Sequence, residues 1–291
     1  MRTVLHPYLS RIYPTNDIGL RYDRTNHPLF TDTLISGTTS KRGNKYAQVY
    51  GTSFGWAGAH PMKFKNKAHE TFSVLFKRDG DPPEMVMDGS MEQNLGKFHH
   101  KFKVACWYKH QTEPYSPWSS AEKGTIREVK KGSYRMMFNN GTTKCLWYHS
   151  LYLEALIRSN TALGYHIIDG KVPVMLMTGQ TADISRIREY TWFDWVIFRD
   201  RPHVLYPENI PVLSRYLGPT LDVGPAMCAK ILKNNGKVVP ISPLRNLARE
   251  EIDSPVHKEH RRCKNTGGLQ AWAPTASAPQ KQITTSSGTP P

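Results

Sequence analysis

Two carboxylates stand where a charged side chain needs a reason. Asp32 interrupts the apolar run LFTDTLIS (29–36), and Asp88 follows EMVM (84–87) and precedes Gly89. A carboxylate drawn into a strand must be paired, bound to a metal ion or turned to water. Two such groups on neighbouring strands supply the oxygen ligands that Mg²⁺ prefers. A pair of ions roughly 3.5–4 Å apart would clamp the attacking and leaving oxygens of a phosphoryl transfer. Plainer readings stay open at this point: a strand-end carboxylate facing water for Asp32, and an ordinary Asp-Gly turn for Asp88.

The basic residues offer a second chemistry. Arg127, Lys130, Lys131 and Arg135 follow one another in a stretch of helical period. Spacings of three and four put Arg127, Lys131 and Arg135 on one face. Such a row can neutralise phosphates, or simply be a solvated helix face. Lys97, Lys101, Lys103, Lys109 and His110 add charge nearby in sequence. Tyr115 and Trp118 could stack on bases or pack into a core. His257, His260 and Cys263 make an H-x-x-H-x-x-C pattern, but three ligands in a charged tail fall short of the four a structural zinc site wants.

The elements that must position these groups follow from periodicity. Strands are expected over Leu29 to Ser36, Tyr46 to Tyr50 and Phe54 to His60. A helix is expected over Lys65 to Lys77, with Ala68, Phe72, Leu75 and Phe76 on one face. A short buried strand (Glu84 to Met87), a helix (about Met91 to Val104) and a strand (Ala105 to Lys109) come next. Ser119 or Ser120 then caps a basic helix running to about Met137. Another helix spans about Thr143 to Ser159. Three adjacent strands followed by alternating α and β elements predict an α/β fold, a mixed sheet with helices on its faces. Further on, Trp192 to Phe198 reads as a strand. Several short strands between Arg215 and Pro243 include a hairpin at Lys233 to Lys237, and they suggest a small β-barrel or sheet, separate from the first core. The expected divisions are an N-terminal linker or truncated element (1–28), a core (29–200), a small β domain (201–250) and a basic, then disordered tail (251–291), rich at its end in Thr, Ser, Pro, Ala and Gln.

Composition narrows the partners. Lys plus Arg is 39 against 24 for Asp plus Glu, a net charge of +15. A chain so basic attracts polyanions, nucleic acid first and an acidic membrane surface second. Cys106, Cys145, Cys228 and Cys263 form no CxxC pair, which argues against a disulfide framework or a zinc ribbon and for a reducing compartment. No apolar run is long enough for a membrane span or a secretion signal.

Six segments carry a resemblance: TDTLISG (31–37), RGNKYAQVY (42–50), MVMDGSMEQ (85–93), QTEPYSPWSSAEKGTIREVKKG (111–132), LEALIRSNTA (153–162) and YTWFDWVIFRD (190–200). Together they resemble the integrase core of copia-type retrotransposons, in the RNase H-like superfamily. The resemblance implies an RNase H-like mixed sheet, Mg²⁺ (two ions where the site is intact), DNA as partner, a homo-multimer assembled on DNA, no membrane, and a nuclear or cytoplasmic location. It implies an Asp-Asp-Glu triad that is both catalytic and metal-binding. Asp32 matches the first member and Asp88 the second. In relatives the glutamate falls six positions after the proline of a P-W-Q-N-x-A-E loop. Counting from Pro117 reaches Lys123, with Glu122 one residue earlier. A lysine there lacks the oxygen ligand and repels a metal ion. Glu122 is the substitute, rotated about 100° and shifted about 1.5 Å along the helix; Glu128 is a weaker candidate, read first as a solvent-facing partner of the nearby lysines. The resemblance also favours DNA as the target of Arg127, Lys130, Lys131 and Arg135. The N-terminal zinc module of such integrases has no match before Asp32, where His6 and His27 stand alone, so the chain reads as truncated at its start. Two functions follow: Mg²⁺-dependent polynucleotidyl transfer for DNA integration, impaired by Lys123, or a non-enzymatic basic DNA-binding remnant. RNA cleavage by an RNase H-type site is a third option within the same fold.

Overall fold

The fold comes from a computed structural model, which describes residues 25, 27–87, 97–100, 108–111, 121–164, 168–179, 181–199, 211–220, 223, 228–255 and 258. Several expectations lie outside these residues: the N-terminal linker, Asp88, most of the 91–104 helix, the Tyr115 and Trp118 loop with its serine cap, and the tail with His257, His260 and Cys263. The side chains of Glu122 and Lys123 lie outside them too.

The first half of the chain folds as β1 (Leu29–Ile35), β2 (Tyr46–Gly51), β3 (Ala57–Met62), α1 (Ala68–Asp79), β4 (Glu84–Met87), β5 (Tyr108–Gln111), α2 (Ala121–Asn139) and α3 (Trp147–Asn160). The strands form one sheet in the order β3-β2-β1-β4-β5. β1 runs antiparallel to β2, and β2 antiparallel to β3. β4 lies parallel to β1, and β5 parallel to β4. This is a mixed α/β architecture, a mixed sheet flanked by helices.

Helices cover both faces, which explains why β2 is buried almost throughout. On one face, Leu29, Tyr50, Met85 and Met87 pack against Phe72, Leu75 and Phe76 of α1. Each such fully buried side chain contributes about 1.5–3 kcal/mol of transfer free energy. On the other face, Ala47, Val49, Ala57 and Ala59 meet Ile126 and Val129 of α2 and Trp147 and Leu151 of α3. Small residues on the strands let these two helices approach closely.

Two strand boundaries in this sheet differ from expectation. Phe54 and Trp56 belong to a tight turn, not to β3: Thr52 N–H donates to the Trp56 carbonyl, Trp56 N–H donates to Thr52 Oγ1, and both aromatic rings are buried. Their apolar character reflects packing of a turn. β5 reaches Gln111, beyond the expected end at Lys109, because a parallel strand is held by its backbone ladder and tolerates the polar run Lys109, His110, Gln111.

The later elements are α4 (Pro173–Thr178), α5 (Ser185–Arg188), β6 (Trp195–Arg199), β7 (Pro211–Pro219), β8 (Ala229–Leu232), β9 (Val238–Ile241), β10 (Arg245–Asn246) and α6 (Arg249–Asp253). A second, antiparallel sheet has the order β10-β6-β7-β8-β9. Of the barrel or sheet expected here, the described residues form a sheet, with β9 and β10 as its two edges. β6, read as the last element of the first core, pairs with β7 and β10 in this second sheet. Trp192 and Phe193 precede it in a turn and pack with Leu217 and Leu232 against Cys145, Leu146 and Leu153. The register shift in β7 between Tyr216 and Pro219 contains Gly218 at φ +113°, a conformation other residues rarely adopt, and the side chain of Leu153 lies against it. Thus α3 packs on both sheets. The β8–β9 hairpin falls where the Lys233 to Lys237 turn was expected, with Lys233 N–H donating to the Lys237 carbonyl at 2.9 Å.

Candidate functional site

β1 carries Asp32 in its middle, opposite Val49 of β2. The strand's alternation sends Thr31 and Thr33 to one face and Asp32 to the other. Buried Gln48 grips both threonines: its amide nitrogen donates to Thr31 Oγ1, and Thr33 Oγ1 donates to its Oε1 at 2.9 Å. This fixes the backbone on either side of Asp32. The carboxylate faces the helices on the α2 side, and Lys130 of α2 reaches it: Nζ donates to Oδ2 at 3.0 Å. Both partners are partly open to water, Lys130 at 38% and Asp32 at 40% exposure.

The second predicted carboxylate, Asp88, follows directly in sequence after Met87. Among the described residues the last pair of β1 and β4 sets Thr31 against Met87. For the third, the backbone of Glu122 lies in the first turn of α2. Thr125, Ile126, Val129 and Ser133 are the buried stripe of that helix, and Thr125 Oγ1 donates to the Thr52 carbonyl at 2.9 Å. By helical periodicity, position 122 lies on the line of Thr125, Ile126 and Val129, while position 123 lies on the line of Lys130. Among the described residues no group of three His, Cys, Asp or Glu side chains could hold a metal ion. Of the predicted ligands, therefore, Asp32 alone has a described environment, and one of its oxygens is engaged by an ammonium.

The basic row is present on α2 but is not uniform. Arg127, Lys131 and Arg135 are exposed, while Lys130 turns toward Asp32. Glu128 lies among the other three, 3.2 Å from Lys131, 3.8 Å from Arg135 and 4.0 Å from Arg127. The hydrogen bond from Lys131, then the surrounding charges, hold its carboxyl below the usual range. Glu128 is thus a partner of the basic row and not a ligand.

Sequence reasoning missed two members of this surface. Tyr134 and Phe138 are exposed on α2, one turn apart, with rings stacked 6.0 Å between centroids. They interleave with Lys131 and Arg135 along the same side of the helix. The signal was available: an aromatic pair at i, i+4 lying off the buried Ile126, Val129, Ser133 stripe. Exposed aromatic faces interleaved with cations have the chemistry that stacking on bases requires.

No family model matches the chain, and no curated protein matches it. Among the described residues no helix is long and apolar enough to cross a membrane. The chain is similar in structure to a chain of the simian T-cell lymphotropic virus intasome in complex with the PP2A regulatory subunit B56 gamma, with 14% identity, 77% of this chain and 79% of that one covered, and a TM-score of 0.41. It is similar to the catalytic core domain of BIV integrase, with 15% identity, 50% and 90% covered, and a TM-score of 0.37. It is also similar to the HTLV-2 integrase catalytic core domain in complex with magnesium, dimeric form, with 13% identity, 52% and 94% covered, and a TM-score of 0.39.

Proposed function

We propose that this chain is an integrase-type polynucleotidyl transferase of retrotransposon origin, acting on DNA and assembling on it as a multimer. One observation supports the reading above the rest. Among the described residues the β1/β4 ladder reaches Thr31 and Met87, and the next residues in the sequence are Asp32 and Asp88. Continuing that register by one pair would bring the two carboxylates side by side. The exposed Arg127, Lys131 and Arg135, with Tyr134 and Phe138, give a DNA backbone and its bases a surface on the helix that reaches Asp32. The reading makes the chain's working location wherever its DNA is, the nucleus or the cytoplasm.

In this mechanism a 3′-hydroxyl attacks a target phosphodiester in line: its oxygen loses a proton and bonds to phosphorus as the bond to the target strand's 3′-oxygen breaks, and that oxygen leaves as a protonated 3′-hydroxyl. Asp32 and Asp88 would hold Mg²⁺, with Glu122 as third ligand. When bound, the ion would supply charge stabilisation of the phosphoryl oxygens. The chain's own part is to position. Gln48 locks the backbone beside Asp32, and the basic row on α2 would seat the phosphates next to it. Lys130 bears on the chemistry directly, because it holds the Asp32 oxygen that a divalent cation would need.

That ion pair, together with Lys123, favours the second reading, a basic DNA-binding remnant without catalysis. A strand-transfer assay with the full chain, labelled element-end DNA and Mg²⁺ separates the two. Transferase function predicts product that drops at least 100-fold in Asp32→Asn and in Asp88→Asn. Product that survives both substitutions sinks the metal site proposed here. A wild-type chain that binds DNA without forming product, and that gains activity as Lys123→Glu, is a decayed enzyme.

A further inference from the structure

Two aromatic rings on α2 add nothing to the core. Tyr134 and Phe138 sit one turn apart, 68% and 73% exposed, with ring centroids 6.0 Å apart and planes within 19° of parallel. The same i, i+4 spacing on α1 has the opposite outcome: Phe72 and Phe76 meet edge to face and are buried against the sheet. A buried aromatic ring is among the larger stabilising contributions to a core. The α2 pair forgoes that contribution, and a contact between neighbours on a helix surface returns only a small part of it. What the pair offers instead is a flat apolar face held open to solvent.

The neighbours of the rings set the charge of what can lie on them, and its direction. Arg127, Lys131 and Arg135 are exposed on the same helix, and helical periodicity places Arg127, Lys131, Tyr134 and Phe138 within about 60° of one another. From Arg127 to Phe138 the row covers about 16 Å, the length of four or five stacked nucleotides at about 3.4 Å each. The last turn of α2 carries no basic residue, and the free carbonyls of a helix end put partial negative charge there. A phosphate is therefore favoured along the middle of α2 and not at its end, where Phe138 lies. An anion with flat apolar parts fits this order, its phosphates over the cations and its bases over the rings.

Base pairing decides which form of DNA can use the rings. Inside a duplex each base is stacked above and below, so a helix lying alongside meets only groove edges, sugars and phosphates. An unpaired base opens its faces, and its stacking on an aromatic side chain is tolerant of sequence. We propose that Tyr134 and Phe138 form a platform for unpaired bases, so that the DNA taken by this face contains a single-stranded stretch with its phosphates on Arg127, Lys131 and Arg135. This assignment rests on the DNA-binding part of the function proposed above and not on its metal chemistry.

Fluorescence anisotropy of the full chain, without metal, tests it with two labelled probes of equal phosphate number: a blunt duplex, and a duplex that ends in a single-stranded oligothymidine tail. The tailed probe should bind roughly tenfold more tightly or better, the effect of stacking one base. Tyr134→Ala and Phe138→Ala should each remove most of that preference. Affinity for the blunt duplex, its salt slope and the thermal midpoint should stay in place, because both rings are exposed. Tyr134→Phe and Phe138→Tyr should keep the preference. Phe138→Leu should lose it, since the side chain stays apolar but has no ring to stack. Equal affinity for the two probes, or a preference that survives both alanine substitutions, overturns the platform and leaves the DNA-binding reading standing. Failure to bind either probe overturns that reading as well. An RNA tail held more tightly than the DNA tail would reassign the rings to RNA. An oligomer of the DNA-free chain that sediments as a smaller species after either alanine substitution would reassign them to a second copy. Either result overturns the proposal.

Discussion

Lys130 is the residue on which the two functional readings divide. Its ammonium holds Asp32 Oδ2 at 3.0 Å, but both groups are more than a third exposed. Water screens such a pair to about 0–1 kcal/mol, so it is a weak structural element. Its electrostatic effect on a second cation is larger, because like charges a few ångströms apart at a protein surface repel by roughly 4 kcal/mol before screening by salt. Lys130→Met should therefore leave the urea midpoint nearly unchanged. If Asp32 belongs to a divalent site, the substitution should raise Mn²⁺ affinity several-fold, read by water-proton relaxation. The DNA-binding remnant predicts no such gain. The sequence made Asp32 legible as a charge inside an apolar run. It could not show the partner, which lies 98 residues away and was itself read as a phosphate contact. Periodicity assigns a residue to a line on a helix, yet a long flexible lysine at the edge of that line can turn either way.

Among elements, the α2–α3 seam is set by small residues. Ser133 and Ser150 meet across it, Ser133 Oγ donating to Ser150 Oγ at 3.1 Å and Ser150 Oγ also within reach of the Ser133 carbonyl. At Gly132 the Glu154 side chain lies over the glycine: a Cβ there would stand 2.9 Å from Glu154 Cγ and closer still to its carboxyl group. Burial pushes the Glu154 carboxyl up, against the opposing charges of Arg158 and Arg135. Glycine in a helix interior costs about 1 kcal/mol relative to alanine, so the contact must exceed that for the glycine to be favoured. Gly132→Ala should destabilise the wild type. In a Glu154→Ala background the same change should stabilise by about 0.5–1 kcal/mol, the intrinsic propensity gain. A double-mutant cycle by urea denaturation isolates the coupling; a cycle that closes additively would show that Glu154 is not what keeps Gly132 small. Element types were legible where one strand or helix had a clear apolar period, as in β1, β2, β4, α1 and α3. Boundaries slipped where aromatic residues serve turns, at Phe54, Trp56, Trp192 and Phe193. The membership of β6 was not legible, because strand pairing is decided by partners distant in sequence. The corrected placement explains the Trp192 indole, which donates to Thr142 Oγ1 at 3.0 Å and ties the turn before the second sheet to the loop before α3.

At the scale of the whole molecule, the +15 charge announced a polyanion partner but not where it would sit. Charge spread evenly would give non-specific attraction at many faces. The α2 surface concentrates it, since Arg127, Lys131 and Arg135 share one exposed face with Tyr134 and Phe138. Glu128 tempers that face, lying 3.2–4.0 Å from all three cations. A bound duplex would displace counterions from each cation it engages, which lowers the logarithmic salt slope by roughly 0.9 per phosphate contact. Replacing Arg127, Lys131 and Arg135 together with alanine should therefore make the slope shallower by about 2–3. Glu128→Gln should act in the opposite sense, because it removes a carboxylate that competes with phosphate for the same three groups. Its signature is tighter binding at every salt concentration, strongest at low ionic strength, where screening is least. Fluorescence anisotropy of a labelled duplex between low and moderate salt measures both effects. A triple variant with the wild-type slope would move the DNA to another face of this basic chain, and with it the reason for placing a phosphodiester beside Asp32.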